Sequence, residues 1–516
     1  MNKREHIVSK KEKLSNLVLE GNLLKSLLIV SFPIIVFNIF KALFGNIDAL
    51  FAVSSINKDV IGDFIQYSKS IQTIVDSIGA CLGIAGITLI AREIGKSKDI
   101  YNPKARQIAS SVFVLLIGVS ILVALIMIIL AEPFCNNIMG LKKYNTLEEE
   151  INQSCIWAFR LKMLGVILLA INVFFLGTER ILGKLKKILV LNCLMMTFKI
   201  GLSCLIYYTF NQKNPLGLEI ASILSYACIT IVAFITLLNQ KNPFYLSIKD
   251  FCWKNFWENK KIIKNILKLA LPLMLGKMFY EFGRLLTLWM IDSSKDEPFL
   301  FFQGFEKGTL SKIGAADAVI SLFTQISFSL KEGQLMIVSE NLGNKNIKRA
   351  IKTLIITSIF VFFVFVFTYL ICAPNNYMGF GLGDKIYLFF KNLGKAENQI
   401  TKKIPPGFSE FLIGGLLTTS LITTQLEIIS TFLIAAKQPK YDLFLNFGRV
   451  YLFRIPFLCL FRNFFSIFQP GEKYEYHVYS TANFFSNCIM LIFMFCLCLR
   501  FIIKIKKEQK NIRIIN

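Results

Sequence analysis

Hydrophobic positions along this chain gather into long runs separated by short polar stretches. Twelve such runs cover 23–53, 73–91, 107–131, 156–178, 188–208, 216–238, 265–291, 313–339, 353–373, 408–436, 441–461 and 479–503. Each is about 20 residues or longer, enough for a helix to cross a hydrocarbon core about 30 Å thick. The pattern predicts an all-α polytopic membrane protein with about twelve transmembrane helices. Runs 73–91 and 313–339 are the least apolar, so they are expected to be shielded from lipid. The longest runs predict tilt or a turn beyond the bilayer.

The polar stretches carry an orientation signal. With twelve crossings, the loops 1–25, 92–106, 179–187, 239–264, 343–352, 437–440 and 500–516 share one side and hold 33 Lys or Arg in 106 residues. The loops on the other side hold 15 in 124. Positive charge is retained on the cytoplasmic side. Both termini are therefore expected in the cytoplasm, with the chain in the plasma membrane.

The two halves of the pattern are alike. Lys25-Ser-Leu-Leu-Ile-Val-Ser-Phe-Pro33 matches Lys264-Asn-Ile-Leu-Lys-Leu-Ala-Leu-Pro272. Ala91-Arg-Glu-Ile-Gly95 matches Ser339-Glu-Asn-Leu-Gly343, and Gly177 before a basic turn matches Ala435 before Lys437. The landmarks keep their order, which predicts two six-helix lobes related by an internal pseudo-twofold repeat. The expected organisation is a cytoplasmic tail 1–22, an N-lobe 23–238, a cytoplasmic linker 239–264, a C-lobe 265–503 with an extracytoplasmic insertion 374–407, and a cytoplasmic tail 504–516. Repeats of this kind are common in transporters, with the substrate pathway between them. The insertion and the stretch 292–312 suggest no function.

Composition narrows the class further. Of 516 residues 54% are hydrophobic and only 18% charged, with 49 Phe and a mean hydropathy of +0.56. Soluble chains carry about 25% charged residues. The net charge of +25 does not point to nucleic acid, because the basic residues lie between apolar runs and form no basic face of a soluble domain. The twelve Cys include no CxxC pair, and the two His, His6 and His477, have no second ligand type beside them. No metal site is expected. Met1 to Asn22 is polar and basic, so no cleavable signal peptide is expected. The run Gly177-Thr-Glu-Arg-Ile-Leu-Gly183-Lys184-Leu185 has five residues between its glycines and Leu after Lys. A phosphate-binding loop needs four, followed by Ser or Thr. It reads as a basic turn, and energy for transport would have to come from an ion gradient.

Several motifs together resemble the multidrug and toxic compound extrusion family of secondary antiporters. They are Gly45-Asn-Ile-Asp48 at the end of run 1, Ala91-Arg-Glu-Ile-Gly95 after run 2, Pro215-Leu-Gly217-Leu-Glu-Ile-Ala221 opening run 6, and Gly448-Arg449-Val-Tyr-Leu-Phe-Arg454-Ile-Pro456 in run 11. The resemblance implies cation-coupled export of amphipathic or cationic drugs or metabolites by alternating access. The coupling ion would be Na⁺ or H⁺, with no other cofactor. It carries the family's ion-coupling acid over to Asp48, and Asn46 beside it can add an oxygen. The family also places an Asn and an Asp in run 5. Here that stretch reads Thr197-Phe-Lys199-Ile-Gly-Leu-Ser203, with no acid. Either Lys199 supplies charge in another way or the cation site is degraded. The partners implied are the lipid bilayer and a small amphipathic substrate, with the chain a monomer that binds no nucleic acid.

Other polar residues inside the runs are candidates for the substrate cavity. Asn172, Asn192 and Lys199 lie in the first half, and Lys277, Glu281, Arg284 and Glu427 in the second. Lys277, Glu281 and Arg284 are spaced to share one helix face, as a neutralised structural cluster or as a cavity wall. Arg449 and Arg454 are expected to snorkel toward the cytoplasmic interface. Pro33 and Pro272 fall mid-helix, where each removes a backbone hydrogen bond and favours a kink. A lipid-linked sugar or oligosaccharide flippase shares the two-lobe layout and is the alternative function. An enzyme is not expected, since histidine clusters and nucleophile–base pairs are missing.

Overall fold

The computed structural model describes residues 17–53, 58–97, 99–138, 149–206, 215–247, 250, 259–292, 309–392, 404, 408–468 and 472–515. Within these helices some side chains fall outside the description, among them those of Asn46 and Asp48. The chain is all-α among the described residues. In order the long helices are α1 (Leu23–Val53), α2 (Lys58–Ser97), α3 (Pro103–Ile129), α4 (Glu149–Ile181), α5 (Leu185–Cys204), α6 (Pro215–Leu238), α7 (Lys260–Asp292), α8 (Thr309–Gly343), α9 (Ile347–Cys372), α10 (Phe408–Ala435), α11 (440–468) and α12 (Glu472–Ile515). Each predicted run coincides with one of them. Pro33 lies inside α1 and Pro272 inside α7. Within 374–407, a short amphipathic helix occupies Leu382–Asn392.

Nine of the described helices are long and apolar enough to cross a membrane. The chain is thus a multi-pass membrane protein. The most apolar window of α2 is 78% buried, against 28% for α3, which presents Leu122, Leu125 and Ile129 outward. Run 73–91 is shielded as expected, but not for low apolarity, since α2 is more apolar than α5, α10 and α11.

Packing divides the chain into two compact units. One comprises Met1–Asn22, Leu43–Met274 and Ser339–Lys345; the other comprises Leu23–Ala42, Leu275–Val338 and Asn346–Asn516. The division passes through α1, α7 and α8.

The repeat landmarks acquire physical roles. The C-terminal ends of α2 and α8 meet backbone to backbone. A Cβ on Gly95 would overlap the carbonyl oxygen of Glu340, and one on Gly343 would overlap that of Arg92. The two contacts are reciprocal, since Arg92 and Glu340 occupy matching places in the repeat. Small residues permit such close helix approach in membranes. The α4 and α10 corners also match. Gly183 N–H bonds to Arg180 O and Lys184 N–H to Glu179 O; Lys437 N–H bonds to Ile434 O and Gln438 N–H to Leu433 O. Both are Schellman ends closed by a left-handed residue, Gly183 at φ 71° and Lys437 at φ 64°. The P-loop-like run is therefore a helix terminus, and Lys184 and Lys187 fold onto the buried Glu179 at 3.2 and 3.3 Å.

Candidate functional site

In the second unit, two glycines set the site. Gly276 and Gly283, two turns apart on α7, press against Leu443 and Val450 of α11, also seven residues apart. This seam draws the polar face of α7 against α11. Lys277, Tyr280, Glu281 and Arg284 follow at helical spacing on α7, and the Arg284 guanidinium stands 3.8 Å from Glu281.

Helix α11 is not uniform. It runs as Lys440–Phe447, then a π-helical Gly448–Arg454, then Ile455–Phe468. In an α-helix, residues five apart point about 140° away from each other. In a π-helix hydrogen bonds run i→i+5, so residues five apart are brought nearly one turn apart. The segment thus turns Arg449 and Arg454 toward one ring: their guanidinium carbons lie 4.1 and 5.9 Å from the centroid of Tyr280. Both arginines are buried, Arg449 to 2% exposure. The expected snorkelling is corrected here, because α7 and α11 pack too closely for these side chains to reach an interface.

Helix α10 has the same construction, with a π-helical Leu416–Thr423 between two α-helical parts. Just after it, Glu427 pairs with Lys331 of α8 at 2.7 Å. Ser430 donates to Asp442 of α11, which also accepts from Asn446 at 3.1 Å. Gln334 ties α8 to the Ile428 carbonyl at 3.1 Å. Asp317 of α8 lies within electrostatic reach of Arg284 and Arg454. Lys331 and Glu427 keep 24% and 20% of their side-chain surface open. An ion pair facing lipid at membrane depth is costly, so an open one belongs beside water.

The four second-half candidates, Lys277, Glu281, Arg284 and Glu427, are therefore collected into one cluster. Sequence reasoning did not assign Lys331, Asp317, Asp442, Arg449 or Arg454 to it. Their charge inside apolar runs was the available signal, but nothing in the sequence says which helix each faces.

The first unit is arranged differently. Lys162 of α4, nearly fully buried, pairs with Glu219 of α6 at 2.8 Å and donates to Ser68 of α2 at 3.1 Å. Asn172 donates to the Tyr226 carbonyl at 3.1 Å and accepts from Thr230 at 2.9 Å, so it staples α4 to α6. Asn192 and Lys199 are both buried on α5, and the Asn192 carbonyl oxygen has no partner among the described residues. The side chains of Asp48 and Asn46 lie outside the described residues. Among the described residues no cluster of His, Cys, Asp and Glu could hold a metal ion.

Among the described residues, twelve long helices, matched corners in the two halves and charged residues inside apolar helices define an all-α, polytopic membrane fold. No protein-family model matches the sequence, and neither does any curated protein. Solved structures do match. One is a MATE in complex with MaL6, with TM-score 0.73 and 15% identity over 95% of this chain and 99% of that one. Another is a multidrug resistance MATE family transporter of the MOP superfamily in an outward-facing conformation, with TM-score 0.73, 14% identity and coverage of 95% and 98%. A third is a MOP superfamily transporter from Pyrococcus furiosus described as having a binding pocket of reverse polarity, suggesting a different function. It has TM-score 0.74, 14% identity and coverage of 93% and 97%. The chain has the fold of the MATE transporters of the MOP superfamily.

Proposed function

We propose that this chain is a secondary transporter that exports amphipathic compounds by alternating access, driven by a Na⁺ or H⁺ gradient. The carrying observation is the charged cluster on α7, α8, α10 and α11, with a fifth to a quarter of the Lys331 and Glu427 side chains exposed. Ionisable groups held at membrane depth beside water mark substrate and ion pathways. The fold supports the same reading. Asp48, helped by Asn46, is the proposed ion-coupling group. A carboxylate there can exchange a proton, or hold Na⁺ with neighbouring oxygens. The charge asymmetry of the loops supports cytoplasmic termini, and residence in the plasma membrane is part of the same proposal.

The test is reconstitution in vesicles with Na⁺ and pH gradients imposed separately, following efflux of fluorescent amphiphiles of either charge. Efflux should respond to at least one gradient, and Asp48→Asn should bring it down to that of protein-free vesicles. Driven efflux that survives Asp48→Asn intact would remove Asp48 from coupling. The second reading, a flippase for lipid-linked sugars, is favoured by the arginines around Tyr280. Lipid movement between leaflets with no response to either gradient would select it.

A further inference from the structure

The charge of the second-unit cluster is unevenly matched. Among the described residues, five cations and four acids lie within electrostatic reach of one another there: Lys277, Arg284, Lys331, Arg449 and Arg454 with Glu281, Asp317, Glu427 and Asp442. Glu427 is bound by Lys331, Glu281 faces Arg284, and Asp442 is held by Ser430 and Asn446. Asp317 is within electrostatic reach of Arg284 and Arg454, and Arg449 within reach of Glu281 and Glu427. Yet among the described residues neither Arg449 nor Arg454 makes an ion pair, and the Nε of both and the Nη1 of Arg449 have no hydrogen-bond partner. A buried guanidinium has five donors in a fixed fork, and leaving them unused is costly. A π-helical turn, a feature frequent at functional sites, is what aims both at one ring.

We propose that Arg449 and Arg454, framing Tyr280, bind an anionic group of the transported compound, a phosphate or a carboxylate. This rests on the transporter reading above and names the charge of its substrate. The geometry suits that chemistry: guanidinium forks match the planar or tetrahedral oxygens of carboxylate and phosphate two at a time.

The experiment measures binding, so its outcome is separate from that of the transport assay. The full chain is placed in lipid nanodiscs and its thermal midpoint followed against dodecyl phosphate, dodecyltrimethylammonium and inorganic pyrophosphate. Ligands that bind the folded state raise the midpoint with concentration. Dodecyl phosphate should act at concentrations about tenfold or more below those of the ammonium. In Arg449→Gln and Arg454→Gln its apparent affinity should fall about 30-fold, the size expected when a donor is removed from a desolvated charge pair. The lysine variants should retain part of it. A response to pyrophosphate alone would identify a soluble anion as sufficient; a response requiring the alkyl chain would identify a lipid-like one. Equal or stronger binding of the ammonium to the unaltered protein, a comparison that needs no variant to fold, would overturn the proposal. So would full retention of dodecyl phosphate affinity in both glutamine variants. If the anion preference fails while gradient-driven efflux stands, only the substrate charge is wrong.

Discussion

Lys331 and Glu427 illustrate how single residues behave at this depth. Their 2.7 Å pair joins α8 to α10, and each is the other's closest charge compensation. Removing one partner of a fully buried pair costs about 3–5 kcal/mol; with a fifth to a quarter of each side chain open, about 1–3 kcal/mol is expected here. Lys331→Met and Glu427→Gln should each lower the thermal midpoint, and the double variant should be less harmful than the sum of the two. Strict additivity in that double-mutant cycle would mean the pair is not coupled. Gly183 is a second case. Its φ of 71° lies in the left-handed region, where a Cβ costs about 1–2 kcal/mol. Gly183→Ala should destabilise by that amount, read from the thermal midpoint of the purified protein. Neither effect was legible in the sequence. Lys331 and Glu427 are 96 positions apart, and a glycine's backbone angle is set by the corner it closes.

At the scale of elements, the α2–α8 crossing carries the clearest expectation. Gly95 and Gly343 each abut the other helix's backbone, at Glu340 and Arg92. Backbone cannot yield as a flexible side chain can, so an added methyl must push the helices apart. Overpacking of this kind costs about 1–3 kcal/mol. Gly95→Ala and Gly343→Ala should each lower the midpoint, and their combination should cost less than the sum, because the first separation makes room for the second methyl. A methyl tolerated at both positions would show that the ends do not pack this way. The helices themselves were largely readable from their apolar runs, but not their starts: Asn102 before Pro103 caps α3 and Asn346 caps α9, each a turn or more ahead of its run. The two π-helical segments were not. Nothing in Leu416–Thr423 or Gly448–Arg454 signals a π-turn, Arg449 and Arg454 marking charge but not backbone, and a π-turn is held by packing rather than by local propensity.

For the whole molecule, orientation is the testable quantity. The excess of Lys and Arg on one set of loops predicts both termini together in the cytoplasm. Green fluorescent protein fused after Asn516 should fluoresce, and alkaline phosphatase fused there should be inactive; active phosphatase would reverse the assignment. Hydropathy, charge and repeat were determined by the sequence alone, because each is a sum over many residues and survives local error. The long helices and the order of the repeat landmarks follow from such sums. Which charged side chains meet was decided only by the tertiary structure. The glycine seam between α7 and α11 and the π-turn in α11 set the direction in which Arg449 and Arg454 point. A rotation of about 100° per residue along a helix means that a single irregular turn redirects every side chain beyond it, and no count along the sequence records that turn.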